Sequence, residues 1–431
     1  MNTTQLAQWR EAAHACLDRG ELQQAEQWFQ RVLDAVPDDV EALQMLASCD
    51  VARGELGSAL ARLQAALRIQ TDDAGILQQL GTVQMAAADF PEAAKTLRKA
   101  LRQAPDLFVA RLRLGLALEQ LNQPHDALTA YFGALRTAQN QGRWISDATT
   151  APGLREAVKH AMRYVDAGRL AWFRRVLEPL QQRYGAVEMH RVEHCLDVYL
   201  GEQSIEMPDP RQRPKFLYFP GIPSQPYYLR ERFPWHDALE DATSWMREEL
   251  RGVLAQRQGL EAFLGAPPPG QQAMLQSSGP EPAAWDAYFF CRHGEHYDEH
   301  TAACPRTAAL LDSLPLTRVR GHAPETLFSV LSPGTHILPH TGVTNVRLVT
   351  HLPLIVPPHC ALRVGGATHI WKEGRCVTFD DTFEHEAWNR SSETRVVLIL
   401  DSWNPDLTEV ECVAVTELIE AIGDFNAASS E

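Results

Sequence analysis

His340, in LPHTG, and His385, in FEHEAW, stand forty-five residues apart, and Arg395, in SSETRVVLILD, follows ten residues later. Two imidazoles on one side of a metal, usually with a carboxylate, are how non-haem iron oxygenases hold Fe(II) while leaving positions open for a cosubstrate and O2. A basic residue close by then supplies what the far carboxylate of 2-oxoglutarate requires. A guanidinium suits that task because its planar fork pairs bidentately with a carboxylate. Arg395 opens VVLIL, an uninterrupted apolar run that reads as a buried strand and would hold the side chain rigidly near His385. The spacing reads as an Fe(II) and 2-oxoglutarate site. The third ligand of the common triad, an Asp or Glu two residues after the first histidine, is replaced here by Gly342.

Strands must position these groups, and side chains on a strand return to the same face every second residue. Arg347, Val349 and His351, in NVRLVTHL, are therefore expected on one face, and His336 is expected to share the face of His340 and buttress it. Asp380 and Asp381 precede His385, but four residues of strand and turn bring neither to the metal by any regular period, so neither is taken as a ligand. His293, Glu295, His296 and His300, in RHGEHYDEH, do not follow the HExxH order of a zinc helix, and a surface or substrate-channel role is expected. Arg292, Arg306, Arg318 and Arg320 are expected to be solvated or structural, and Trp371, Trp388 and Trp403 to pack in the core.

Ahead of this region lies a repeat. Gly20, Gly54, Ala88 and Asn122 recur every thirty-four residues, as do Ala25, Ala59, Ala93 and Ala127, and Leu33, Leu67, Leu101 and Leu135. Pro37 and Pro105 end the first and third copies, with Thr71 between. Small residues where helices cross, a turn residue between helices and a terminal proline at this period are the tetratricopeptide pattern. Four helix pairs over residues 5–140 would form an α-solenoid whose concave face binds polypeptide. Residues 141–207 read as a helical extension, with apolar residues at three and four spacing. The proline-rich PDPRQRP marks a boundary at 208, DALEDATSWMREELRGVLA reads as an amphipathic helix, and residues 265–282 read as a loop too rich in Pro, Gly and Ser to pack as an element.

The stretches RPKFLYFPGIPSQPYYLRERFPW, HAPETLFSVLSPGTHILPHTGVTNVRLVTHLPLIVP, WKEGRCVTFDDTFEHEAWNRSSETR and LDSWNP resemble the aspartyl/asparaginyl β-hydroxylase family, over about residues 213–406. The resemblance implies a double-stranded β-helix, a jelly-roll-like pair of sheets, across residues 208–413, followed by a C-terminal helix and tail over 414–431. The fold class is thus multidomain α + β, a solenoid followed by this β domain with flanking helices. The resemblance further implies His340 and His385 as iron ligands, Arg395 and Ser329 at the distal carboxylate of 2-oxoglutarate, and His351 near its metal-binding end. Animal members carry a cosubstrate-binding arginine where this chain has Val349; Arg347, one step along the same face, is the expected substitute. The resemblance implies that the gap at Gly342 is shared by members and filled by water. The implied reaction is oxidative decarboxylation of 2-oxoglutarate coupled to hydroxylation of an unactivated C–H, first of all an aspartyl or asparaginyl β-carbon in a polypeptide recruited by the repeats. Free amino acids, lipid acyl chains, chloride transfer and a catalytically silent scaffold are the alternatives.

At 431 residues the chain exceeds the roughly 250–300 that one hydrophobic core serves, so several domains are expected. Forty basic against fifty-five acidic residues leave a formal charge of -15, which argues against nucleic acid or an anionic membrane as partner. The charged start and the absence of a run of about eighteen apolar residues predict a cytoplasmic protein without a membrane segment. The eight cysteines, scattered without a CxxC pair, are expected as free thiols.

Overall fold

The structure, a computed structural model, describes residues 3–256, 258–265, 273–279 and 281–430. Its contacts divide the chain into two compact units, Met1–Trp172 with Asp424–Glu431, and Phe173–Gly423. The division falls inside the segment read as a helical extension, which is helix over Arg155–Leu200 with a break at Gly185, where φ is 83°.

In the first unit the thirty-four-residue period becomes four helix pairs: α1 (Thr3–Asp18) with α2 (Leu22–Ala35), α3 (Val40–Arg53) with α4 (Leu56–Ile69), α5 (Ala74–Ala86) with α6 (Phe90–Gln103), and α7 (Phe108–Gln120) with α8 (Pro124–Asn140). The turn inside each pair needs a residue with positive φ, and Gly20, Gly54, Ala88 and Asn122 all have it, at 75°, 80°, 60° and 55°. Glycine and asparagine take this conformation at low cost. The second helices bury Ala25, Ala59, Ala93 and Ala127 at no more than 1% exposure. Their partners bring Ala13, Ala47, Gly81 and Gly115, again thirty-four residues apart. A Cβ at Gly81 would lie 2.7 Å from Leu97, and one at Gly115 would lie 2.5 Å from the Tyr131 ring, so the helices of those pairs close only because these positions are small. Asp39 and Asp73 cap α3 and α5 by accepting from Ala42 N–H at 2.9 Å and Ile76 N–H at 2.8 Å. Ser429, near the C-terminus, groups with this unit: its carbonyl accepts from Arg111 Nη1 at 3.0 Å.

The second unit is built on eight main strands: β1 (Trp285–Arg292), β2 (Thr326–Leu331), β3 (Thr335–His340), β4 (Arg347–Ile355), β5 (Cys360–Val364), β6 (Val377–Phe379), β7 (His385–Asn389) and β8 (Arg395–Trp403). From β2 onward the chain passes mostly from one antiparallel sheet to the other. The larger sheet has the order β6-β4-β8-β2-β1 and the smaller β5-β7-β3, with short strands at their edges. This is the double-stranded β-helix. One edge strand, Leu275–Ser277, pairs with β3 and lies inside the stretch read as a structureless loop; much of the rest of that loop, residues 266–272 and 280, falls outside the described residues. The C-terminal helix runs Glu409–Ala428, beginning before the expected 414 because Thr408 and Glu411 form a reciprocal cap.

Strand β8 is apolar throughout because both its faces are covered. Val396, Leu398 and Leu400 turn outward into a core with Met246, Leu250 and Leu311 of the flanking helices. Arg395, Val397, Ile399 and Asp401 turn inward between the sheets, where Trp285, Leu331, Ile337, Leu362, Trp371 and Phe379 pack. A charged residue at each end of an inward-facing apolar row marks this interior as more than core.

Beside β6, His236 is buried at 1% exposure, stacked on Phe233 at 5.0 Å, with Nε2 3.1 Å from the Thr378 hydroxyl and no partner for Nδ1. Burial pushes its pKa down to about 4, against an opposing pull from Glu240. A base depressed in the folded state keeps its stabilising neutrality above the unfolded value near 6.5 and loses it as pH falls toward 4. Relative to His236→Phe, wild type is expected to lose roughly 3 kcal/mol between pH 6.5 and 4, at about 1.4 kcal/mol per unit. Urea unfolding of both proteins at the two pH values reads this; a difference that does not change with pH contradicts it.

Candidate active site

The alternation between sheets places the end of β3 beside the start of β7, and His340 and His385 become direct cross-strand partners, their ring centroids 4.1 Å apart. Each ring is oriented in the same way. His340 Nδ1 donates to the Leu338 carbonyl at 2.9 Å and His385 Nδ1 to the Phe383 carbonyl at 2.9 Å. A proton held at Nδ1 leaves the Nε2 lone pair free, which is the arrangement a metal-binding imidazole needs. Burial pushes the His340 pKa down to about 4, with His385 adding to the effect, and lowers that of His385 as well. Both rings are therefore neutral near pH 7. They line a cavity of about 210 Å³ between the sheets.

At one end of that cavity stands Arg395, 1% exposed. Its Nη1 donates to the Ser329 hydroxyl and carbonyl, each at 3.2 Å, and the guanidinium lies 5.0 Å over the Trp371 ring. The Trp285 indole donates to the same Ser329 hydroxyl at 2.9 Å. No carboxylate pairs with Arg395 among the described residues, and its Nε has no partner at all. Burial pulls its pKa down to about 10, still cationic at neutral pH. An unpaired guanidinium sealed in a protein interior is costly unless an anion reaches it. His351 lies between the two groups on β4, 6% exposed, neutral through burial, with Nδ1 also unpartnered.

The opposite end holds Arg347, Asp401, Glu325 and Asp381. Arg347 ion-pairs with Asp401, with 15% and 2% of the two side chains exposed. Asp381 fills the space beside Gly342: a Cβ there would lie 2.1–2.2 Å from the Asp381 carboxylate atoms. Gly342 is thus held small by a carboxylate from elsewhere in the sequence. Gly342→Ala is expected to destabilise by about 1–3 kcal/mol through overpacking, and Gly342→Asp, which adds a second anion, by more while losing the site. Asp381→Ala in the Gly342→Ala background should restore much of the loss. Additive effects in thermal unfolding of the three variants would show that the two positions do not meet.

All six residues singled out from the sequence for metal or cosubstrate, His340, His385, Arg395, Ser329, Arg347 and His351, line this one cavity, as do Val349 and Gly342. His336 does not. A register irregularity between His385 and Ala387 puts Ile337 and His340 on the cavity side, and turns His336 outward to Glu386 at 2.6 Å. Asp380 is engaged by Gln212 at 2.8 Å and the Thr382 backbone at 2.9 Å, whereas its neighbour Asp381 faces the cavity. The histidines of RHGEHYDEH disperse: His293 lies 3.3 Å from Glu325, and His300 donates to the Phe289 carbonyl at 2.7 Å. Among the described residues no group of three or more His, Cys, Asp or Glu is arranged to hold a metal. Sequence reasoning passed over Glu325, Asp401, Trp285 and Phe263, though inward alternation from Ser329 and Arg395 points to the first two.

The donor set fits Fe(II) with 2-oxoglutarate: two neutral imidazoles with free Nε2 atoms, and a buried, unpaired guanidinium across the same cavity. Comparison with known proteins agrees with the fold. A family model described as aspartyl/asparaginyl beta-hydroxylase matches residues 240–405, and a tetratricopeptide repeat model matches residues 16–82. The chain is 29% identical to the human aspartyl/asparaginyl beta-hydroxylase over 66% of its length and 35% of that protein's. It is 35% identical to the mouse aspartate beta-hydroxylase domain-containing protein 2, over 46% of this chain and 57% of the relative. It is 32% identical to the ornithine lipid ester-linked acyl 2-hydroxylase of Rhizobium tropici, over 44% and 64%. The chain thus spans less than two thirds of the length of each of these relatives. No helix among the described residues is long and apolar enough to cross a membrane. The cavity with its paired histidines lies within residues 240–405, the segment that matches the aspartyl/asparaginyl beta-hydroxylase family model, and the segment that matches a tetratricopeptide repeat precedes it.

Proposed function

We propose that this protein is an Fe(II)- and 2-oxoglutarate-dependent dioxygenase that hydroxylates an unactivated C–H, with asparaginyl or aspartyl side chains of a polypeptide as the acceptor class suggested by its relatives. The observation that carries the reading is the buried, uncompensated Arg395 with Ser329, set in the same cavity as two neutral imidazoles whose Nε2 atoms are free. His340 and His385 would hold the iron, and the iron with 2-oxoglutarate and O2 supplies the oxidising power that no side chain has. Arg395 and Ser329 would bind and orient the distal carboxylate of the cosubstrate, and His351 would lie beside its other end. Phe263, Trp285, Ile337, Leu362 and Ile399 give the cavity an apolar lining.

Recruitment of the polypeptide falls to the repeat unit in this reading. There, Ser48, Gln79, Thr82 and Arg113 line a cavity of about 200 Å³ with Val51 and Leu63. Purified chain supplied with Fe(II), 2-oxoglutarate and O2 should form succinate, measured by NMR, and formation should cease when either iron or cosubstrate is withheld. Succinate at the level of a protein-free control sinks the reading. Arg113→Glu should leave this basal turnover intact while reducing hydroxylation of a polypeptide substrate; equal hydroxylation by both proteins would remove the repeats from the account.

A further inference from the structure

The cavity is polarised along its length. Among the described residues, Arg395 is the one charged side chain lining the end where β8 begins, whereas Glu325, Asp381 and Asp401 line the other, outer end, the one that reaches exposed His293, with Arg347 against them. From residue 395 to residue 401, β8 spans about 20 Å at the usual strand rise, with Val397 and Ile399 between. The positive charge of Arg347 is already engaged by Asp401. Among the described residues that line this end, Glu325, Asp381 and Asp401 thus share a single permanent cation, Arg347.

Each shows the cost. Glu325 has His293 as its nearest basic partner, at 3.3 Å on the exposed side, and its backbone N–H donates to Asp401 at 3.0 Å. Burial and the nearby Asp401 raise its pKa above the ordinary carboxylate value, against smaller opposing pulls from Arg347, His293 and Arg292. Asp381 is 8% exposed, and its Oδ1 is buried with no hydrogen-bond partner among the described residues. Of the cationic side chains acting on Asp381, Arg347 is paired with Asp401, and Lys215 is exposed and does not line the cavity. Iron(II) and 2-oxoglutarate, held as proposed, cancel in formal charge, so the surplus of carboxylates at the outer end remains. Buried carboxylates without partners are relieved by a ligand that brings positive charge.

We propose that the outer end of the cavity is a cation subsite, where the substrate presents an ammonium or guanidinium group to Glu325, Asp381 and Asp401 while its reacting carbon lies toward His340 and His385. The proposal rests on the oxygenase reading for the role of the cavity, and it narrows the substrate. An aspartyl carboxylate entering alone would meet three like charges, with the one nearby arginine already paired. A neutral residue flanked by lysine or arginine, or a free basic amino acid, fits the charge of the wall.

Acetylated and amidated peptides Gly-Gly-X-Gly-Gly, with X as Lys, Arg, Asn or Asp, would be titrated against the full-length chain. Free lysine and arginine form a second arm that separates a small-molecule source of the cation from a peptide. Binding is read by saturation-transfer NMR, anaerobically, with and without Fe(II) and 2-oxoglutarate. Lysine- or arginine-bearing probes are expected to bind at least tenfold more tightly than the aspartate peptide. Glu325→Gln should reduce that preference to less than threefold, and Glu325→Lys should invert it. Equal or tighter binding of the aspartate peptide, an undiminished preference in Glu325→Gln, or no binding of any probe overturns the proposal. A cation preference that persists in a chain unable to bind Fe(II) and 2-oxoglutarate would instead overturn the oxygenase reading and keep the subsite.

Discussion

Replacing either His340 or His385 with alanine is expected to reduce 2-oxoglutarate-dependent succinate formation below one hundredth of wild type while leaving the fold intact. Ligand number sets this effect. With glycine at 342, where the common triad has its carboxylate ligand, and no cluster of three or more metal-binding side chains among the described residues, each imidazole is half of what the protein can offer the ion. Neither ring anchors the core: both are only half-buried, and the hydrogen bond each makes is to a carbonyl two residues away. Circular dichroism and thermal unfolding should therefore stay close to wild type while Fe(II) binding, followed by calorimetry, weakens by orders of magnitude. Near-wild-type succinate at subsaturating iron in either variant would remove that histidine from the metal site.

Arg395→Ala is expected to raise the 2-oxoglutarate requirement at least tenfold and up to a few hundredfold. A hydrogen bond to a charged group contributes about 1.5–3 kcal/mol, and leaving a carboxylate unpaired in this interior adds to the loss. The structure adds a second, opposite effect on stability. Wild type pays for an unpaired guanidinium at 1% exposure, so removing it offsets part of the cost of the cavity left beneath Trp371. Saturating 2-oxoglutarate should consequently stabilise wild type more than Arg395→Ala in thermal unfolding. Equal stabilisation of both would show that Arg395 does not contact the cosubstrate.

Much of this architecture was legible because the physical constraint was local. The repeat announces itself since every thirty-four residues the chain needs a residue tolerant of positive φ and a small residue where helices cross; Gly54 and Ala59 answer those two needs. Arg395 was legible because a charge at the head of an apolar run has to be held for a reason. What escaped depended on long-range register or on partners remote in sequence. His336 was misplaced by simple alternation because the pairing of β3 with β7 is irregular between His385 and Ala387. Asp381 looked irrelevant by spacing, yet the turn after β6 folds its carboxylate against Gly342. Leu275–Ser277 is strand despite its Gly, Pro and Ser surroundings because the edge of the smaller sheet offers it backbone partners. Arg347 illustrates the limit of reading one side chain alone: alternation brings it to the cavity, but only the fold reveals Asp401 as its counter-ion.

The central claim is that two imidazoles and a buried arginine hold Fe(II) and 2-oxoglutarate in one cavity. Anaerobic titration of the full-length chain with Fe(II) and then 2-oxoglutarate, followed by visible absorption, tests it most directly. A metal-to-ligand charge-transfer band is expected that saturates at one equivalent of iron per chain, disappears in His340→Ala and His385→Ala, and requires far more 2-oxoglutarate in Arg395→Ala. No band in wild type at saturating iron and cosubstrate, or a band of unchanged strength in the histidine variants, would contradict it.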